Sequence, residues 1–383
     1  MTTVRPSAPA TGGGVGQPRV RGAAIVYRLY DVGYEIHLER AIDLLAASAP
    51  ERVRPVRGEA QAIQIPNPPI TVILGTESHD IDGLEVEAEL SARIFDFGVV
   101  SLRMRIPTPA EIGWREFSVF GQAVNAATAS LPAFEQHLAR LVDRIAGAIE
   151  RYSIAPVTED YIVYRIDHLA GEGGEQLTSE ALRDVDVVPL LLNETRPLSA
   201  DARRELLPHR FSYYADDLAI LTWDNALILE PSSSDADVQY MLEFANAQLL
   251  ELRFYDALLD AQLPRMYDRI EVARLGTGAL LRRRYAPILG DLQRLVADST
   301  ELIERAENSL KVTDDVYLAR IYASALEIFR ARAWRTGVDR KLAIIRDTYS
   351  MLNGEAQAAR AEVLELAIVL LIVADIIIAM IVG

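Results

Sequence analysis

Near the end of the chain, Leu366–Val382 reads LAIVLLIVADIIIAMIV, an apolar run broken by a single charge. No other feature constrains the fold as strongly. A helix that is apolar on every side has no face to offer water, so protein or lipid must surround it. At ~1.5 Å per residue the run spans about 25 Å, near the lower limit for a bilayer core. Beginning at Val363 adds a turn and puts Glu365 at the interface, and only Gly383 follows. The expectation is a C-terminal transmembrane helix over 363–383. Met1–Pro18 is polar and has no apolar stretch of signal-peptide length. A single-pass protein of the cytoplasmic (inner) membrane follows, with its soluble part in the cytoplasm. Asp375 stands in the middle of the run, where a carboxylate costs ~2.5–3.5 kcal/mol on insertion scales. A contact with a partner helix or a proton-carrying group is the functional reading. A protonated or snorkelling side chain is the bland one.

Charge and composition exclude several classes. With 39 basic and 55 acidic residues the formal charge is −16. Nucleic-acid binding needs clustered Lys and Arg to neutralise phosphates, so no direct nucleic-acid partner is expected. The absence of cysteine removes disulfides, thiolate metal sites and a Cys nucleophile.

The apolar pattern divides the chain. Residues 1–22 predict a disordered arm. Ala23–Leu29 has strand composition, and Tyr34–Ala47 has helical spacing. Glu85–Phe95 alternates strictly, with Val86, Ala88, Leu90, Ala92 and Ile94 opposite Glu85, Glu87, Glu89, Ser91 and Arg93, which reads as a half-buried antiparallel strand. Asp96-Phe97-Gly98 turns it into Val99–Ile106. Leu131–Tyr152 is an amphipathic helix, Asp160–His168 a strand, Leu198–Phe211 a short helix. Leu218–Thr222 and Ala226–Leu229 form a hairpin. Residues 23–230 therefore predict an α+β head domain with a mainly antiparallel sheet.

From Asp235 onward no strand is expected. Asp235–Leu263 reads as a helix ended by Pro264. Two heptad runs follow. The first takes in Leu281, Tyr285, Ile288, Leu292, Leu295, Ser299 and Leu302. The second is cleaner: Val338, Leu342, Ile345, Tyr349, Leu352, Ala356, Ala359, Val363 and Leu366 recur at steps of 4 and 3. Seams this regular mark coiled coils, so 231–362 predicts a helical stalk joined to the anchor, with Val338–Leu366 as an oligomer seam. The phase extends back to Tyr317, which leaves Gly337 either inside a continuous helix or, given its cost of ~1 kcal/mol there, at a kink.

This layout resembles the "required for meiotic nuclear division" family, as a bacterial-type member. The likeness lies mainly in LKVTDDVYLARIYASALEIFRARAW at Leu310–Trp334, KLAIIRDTYSML at Lys341–Leu352 and LELAIVLLIVADI at Leu364–Ile376. Asp375 stands where that family usually has Glu, and Ser101 follows Gly98-Val99-Val100 where an aromatic is common. The resemblance implies a membrane-associated, oligomeric organiser and supplies no catalytic residues.

The search for chemistry returns little. The five histidines show no metal-ligand spacing, and His79-Asp80-Ile81-Asp82-Gly83 lacks the rest of a Ca²⁺ loop. Gly12–Gly16 lacks the Lys-Ser/Thr of a phosphate loop. No catalytic, cofactor-binding or metal residue is assigned. Glu243, Asn246 and Arg253 fall at helical spacing and suggest a polar groove between head and stalk, against an ion-paired solvent face. The sequence thus describes a membrane-anchored, coiled-coil oligomeric scaffold or tether that binds the bilayer, further copies of itself and a protein partner. The alternative is a head that senses or transforms a small molecule, held at the membrane by the stalk.

Overall fold

A computed structural model of the chain describes residues 17–46, 51–52, 63–64, 67–128, 133–183, 185–194, 196–230, 237–274, 279–308, 311–312 and 316–382. The longer strands are β1 (Arg19–Asp31), β2 (Ile70–Ile81), β3 (Leu84–Ile94), β4 (Val99–Pro107), β5 (Thr158–Ala170), β6 (Leu218–Leu221) and β7 (Asn225–Leu229). The longer helices are α1 (Trp114–Thr128), α2 (Ala133–Ile145), α3 (Asp237–Arg274), α4 (Ala279–Asn308), α5 (Val316–Ile328) and α6 (Ala331–Val382).

The strands form one mixed sheet in the order β6-β7-β5-β1-β4-β3-β2, extended at its two edges by Arg210–Phe211 and Glu51–Arg52. Every pairing is antiparallel except β5 with β7, which run parallel from Ile162↔Asn225 to Ile166↔Leu229. The expected alternation of β3 is present, with Val86, Ala88, Leu90, Ala92 and Ile94 in one core. Its turn into β4 depends on Gly98 at φ 94°, where a Cβ would stand 1.9 Å from the Gly33 carbonyl oxygen. Residues 19–22, expected in the arm, belong to β1 and pair with β5. Residues 1–16 lie outside the described residues.

Helices cover both faces of the sheet. On one face α1 and α2 pack over Val26, Tyr164, Met104 and Leu90. Gly121 permits close approach there, since a Cβ would meet Leu190 and Tyr164 inside 3 Å. On the other face lie the first half of α3 and all of α5, against Tyr27, Phe95, Phe97, Tyr161 and Ile228. Val238 through Leu252 is buried on every side. The first turns of the expected stalk are therefore part of the head's core.

Beyond the sheet, α3, α4 and α6 pack as a three-helix bundle within one chain. Its core joins Tyr255, Leu259 and Met266 to Ile288, Leu292, Val338, Leu342, Ile345 and Leu352. This corrects the oligomer seam. Val338, Leu342, Ile345 and Leu352 are already buried against α3 and α4, and Tyr349 is half-buried. A 3.5-residue period specifies a helical neighbour and does not say whether that neighbour belongs to the same chain. Leu366 is 62 % exposed, and the side chain of Val363 lies outside those described.

Three further expectations change. Pro264 sits inside α3 and does not end it. The helix expected from Tyr317 through Gly337 breaks at Arg330, whose φ of 51° ends α5 while its carbonyl accepts from the Ala333 and Trp334 N–H groups to start α6. Lys311–Val312 forms a short strand paired with Ile63–Gln64 where none was expected. As for the anchor, no helix among the described residues carries an apolar run long enough to cross a membrane. The side chains of Asp375, Ala379 and 381–383 lie outside those described.

Candidate functional site at the head–bundle junction

The buried half of α3 carries Asp237, Gln239, Glu243, Asn246, Gln248 and Glu251, all below a tenth exposed. A helix enclosed on all sides cannot turn these groups to water, so each needs a partner in the protein. Glu243 finds Arg93 of β3, which donates to its carboxylate and lies 4.9 Å over the Tyr240 ring. Gln239 accepts from the Tyr27 hydroxyl at 3.4 Å, and Gln248 from the Tyr322 hydroxyl at 2.6 Å. Asn246 donates to the Leu242 carbonyl of its own helix at 2.9 Å. Arg253 donates to Glu159 of β5 and lies 5.8 Å over the Trp334 ring.

The expected groove is thus divided. Glu243 faces Arg93 beneath the sheet, Arg253 faces Glu159, and Asn246 is spent on its own helix. The three do not converge on a common ligand position.

A different pair does come together. Asp31, at the end of β1, and Glu251 are 4 % and 2 % exposed. The Asp31 carboxylate accepts from the Gly33 N–H at 3.1 Å, yet burial pushes its pKa up to about 7. Burial and the Asp31 charge together hold Glu251 well above the usual carboxylate range. Glu159 is also pushed up by burial, to about 7, against the pull of Arg253. Tyr255 lies beside the pair, its hydroxyl raised by burial and by both carboxylates. Among the described residues Glu251 Oε1 has no hydrogen-bond partner, and Glu251 borders a cavity of about 1230 Å³ between α3, α5 and the start of α6. Two carboxyls placed this way hold a proton near neutral pH, the arrangement that coupled buried acids produce.

Polar contacts across the same junction tie head to bundle. The Tyr34 hydroxyl donates to Glu301 at 3.0 Å, and Arg151 donates to Asp298 at 2.6 Å while lying 4.0 Å over the Tyr34 ring. Lys341 of α6 reaches Asp256 and Asp260 of α3, each at 2.6 Å.

A profile described as the N-terminal domain of the uncharacterized protein MJ0711 matches residues 21–236, more than half of the chain. The chain belongs to this family. An MJ0711 protein of Methanocaldococcus jannaschii is 25% identical over 240 residues, covering 63% of this chain and 71% of the relative. No solved structure matches. The MJ0711 N-terminal match begins inside β1, takes in the other described strands of the head sheet and stops one residue before α3. Nothing in these matches links the chain to the "required for meiotic nuclear division" family.

Among the described residues no group of three or more His, Asp and Glu side chains is placed to hold a metal ion. Sequence reasoning missed Arg93 and Asp31, whereas Glu251 belongs to the charged set it places on this helix with Glu243, Arg253, Asp256 and Asp260. Arg93 was assigned to the solvent face of β3, which holds for Glu85 to Glu89 but not where α3 covers the strand. A signal was available in Met241-Leu242-Glu243-Phe244-Ala245, where the acid sits in a stretch with no polar face of its own.

Proposed function

We propose that this protein is a membrane-tethered module, in which the bundle carries the head and the end of α6 enters lipid. One observation carries the reading. From Leu364 to Met380, twelve Leu, Ile, Val and Met side chains of α6 are between 45 % and 80 % exposed. Six of them, Ile368 to Val373, are consecutive and so point to every side of the helix. A bare apolar surface of this extent is not stable in water and marks contact with a membrane or another protein. The first part of α6 is packed into the bundle, so the anchor would continue a rigid helix of about 78 Å at ~1.5 Å per residue. The motifs at Leu310–Trp334 and Leu364–Ile376 that resemble the "required for meiotic nuclear division" family support the same placement. Asp375 would then favour a second copy of the helix beside it in the bilayer, since a shared proton or hydrogen bond lowers its insertion cost.

Flotation with liposomes tests this. The full chain is expected to rise with the vesicles, and a chain ending at Arg360 to remain at the bottom with unchanged far-UV circular dichroism. Equal behaviour of the two would overturn the reading. The cavity at Glu251 favours a second reading, in which the junction takes a small molecule whose polar group meets the carboxyl pair. Under that reading the Glu251→Gln variant loses ligand-induced thermal stabilisation while liposome flotation stays as before.

A further inference from the structure

A separate cavity of about 430 Å³ opens in the head where the parallel strands β5 and β7 begin, away from the carboxyl pair at the junction. Its walls come from Asn125 near the end of α1, Asp160 on β5, Asn193 in the loop after Val188–Leu191, Trp223 and Asp224 in the β6–β7 turn, and Asn225 at the start of β7. All of these lie within the part matched by the MJ0711 family.

The hydrogen-bond inventory of the cavity is incomplete in a specific way. Asn225 is 4 % exposed, and its Nδ2 donates to the Leu191 carbonyl at 3.1 Å. That bond fixes the orientation of the amide, because only the nitrogen can donate. The opposite atom, Oδ1, is buried without a partner among the described residues, a deficit of about 1–3 kcal/mol. The amides of Asn125 and Asn193 have no side-chain partner among the described residues, and Asn193 is held at a left-handed φ of 50°. Asp160 is matched by Arg28, which donates to both its oxygens at 2.6 and 3.0 Å. Asp224 forms no ion pair among the described residues, and burial raises its carboxyl above the usual range. Trp223, 44 % exposed, adds an apolar wall.

The lining therefore offers donors and acceptors in mixture, one uncompensated carboxyl and one large aromatic surface. An anion would meet Asp224. An ammonium would satisfy the acceptors but leave the amide N–H groups unanswered. Hydroxyl groups donate and accept at once, and neighbouring hydroxyls can share one carboxylate. The volume falls at the lower end of the range for small-ligand sites. We propose that this cavity binds a small neutral molecule bearing vicinal hydroxyls, a free polyol or the sugar of a nucleoside, with Asp224 and the Asn125 and Asn225 amides reading the hydroxyls against Trp223.

The test is calorimetry and tryptophan fluorescence on the full chain in mild detergent. The probes are D-ribose, D-glucose, myo-inositol and adenosine at millimolar concentrations, with propylamine as the cationic comparison. Saturable binding of one or more hydroxylated probes is expected. Asn125→Ala and Asp224→Asn should each weaken it about tenfold or more, the effect of removing one good hydrogen bond. Trp223→Phe should abolish the fluorescence response. Adenosine alone binding would identify a nucleoside sugar as the source of the diol, and a simple polyol binding would identify a free one. Asn125→Ala touches a half-buried side chain without a partner, so it reports on binding even if Asn225 variants fail to fold. No saturation by any hydroxylated probe would overturn the proposal. So would tighter binding of propylamine, or unchanged binding in both Asn125→Ala and Asp224→Asn.

Discussion

Val238–Leu252 of α3 and Leu364–Met380 of α6 invert the usual relation between polarity and burial. The first carries two Glu, two Gln and an Asn and is enclosed on every side. The second is almost purely apolar and is bare on every side. Topology explains the first case. Lying between the sheet and α5, the start of α3 is buried whatever it carries, and Glu243, Gln239 and Gln248 are tolerated there because Arg93, Tyr27 and Tyr322 answer them. Among the described residues nothing covers the second.

The border between the regimes runs through α6, and charge placed on either side of it should act in opposite ways. Leu342 is 2 % exposed in the bundle core. Leu342→Asp loses its apolar contacts and buries an unpaired carboxylate, together more than about 5 kcal/mol. Thermal unfolding in detergent should show the bundle lost. Leu370, 61 % exposed, should accept Asp with no change in that melting transition. Liposome partition of Leu370→Asp should fall instead, by about 2.5–3.5 kcal/mol. Equal melting of the two variants would erase the border.

On the enclosed side, the next largest effect belongs to Arg93. Removing it leaves Glu243 charged and without a cation at 2 % exposure. Arg93→Ala should cost about 3–5 kcal/mol in denaturant unfolding. Replacing both partners, Arg93→Met with Glu243→Leu, should recover most of that loss, because the penalty lies in the orphaned charge. Failure of the double variant to recover would mean that the pair holds the position of α3 as well as its own charges.

The legible parts of this fold are those governed by local pattern. Strict alternation places β3, Gly98 marks its turn, and the spacing of Leu218–Leu229 gives the β6–β7 hairpin. The parallel pairing of β5 with β7 was not legible, since it joins segments separated by a long connection. Arg330 shows why the α5–α6 break was hidden. An Arg at a left-handed φ carries no Gly or Pro signal, and its cost of ~1–2 kcal/mol is met by packing, with its guanidinium 5.9 Å over the Trp223 ring. The seam at Val338–Leu352 was legible as a seam but not as to its partner. For the junction, Glu243 and Arg253 were singled out on the right helix, but their partners Arg93 and Glu159 are 150 and 94 residues away. No local spacing encodes contacts of that range.

The carboxyl pair gives the enclosed region a pH dependence that the bare region lacks. Asp31 has a folded pKa of about 7 against an ordinary 3.8. Between these values the native state holds the proton and the unfolded chain does not, so stability falls as pH rises from about 4 to about 7. Glu159, raised to about 7, and Glu251 act in the same direction. Asp31 contributes at most about 4 kcal/mol, at ~1.36 kcal/mol per unit. Asp31→Asn cannot ionise and should flatten this part of the profile in denaturant titrations at pH 5 and pH 8. An unchanged slope would show that Asp31 titrates near its ordinary value and that the enclosure is wetter than its exposure indicates.

The smallest effect concerns Lys341, on the flank of the packed half of α6. Its ammonium donates to Asp256 and Asp260 and to the Asp256 carbonyl at 3.1 Å. Burial alone would lower its pKa, but the hydrogen bonds with the two carboxylates raise it. Its contribution is therefore fully present below the ordinary Lys value and is lost as pH rises through the folded one. The Lys341 side chain is only 18 % exposed, but Asp260 is 61 % exposed, and pairs that reach solvent in this way are worth no more than about 1 kcal/mol. Lys341→Met keeps the aliphatic stem against the bundle and removes only the charge. Its cost should be below that figure and should shrink further in high salt. A loss comparable to that of Arg93→Ala would mean that α3 and α6 are held together mainly by this bridge. A loss near zero would place their association in the apolar seam, where Leu342 and Ile345 already close the core of the bundle.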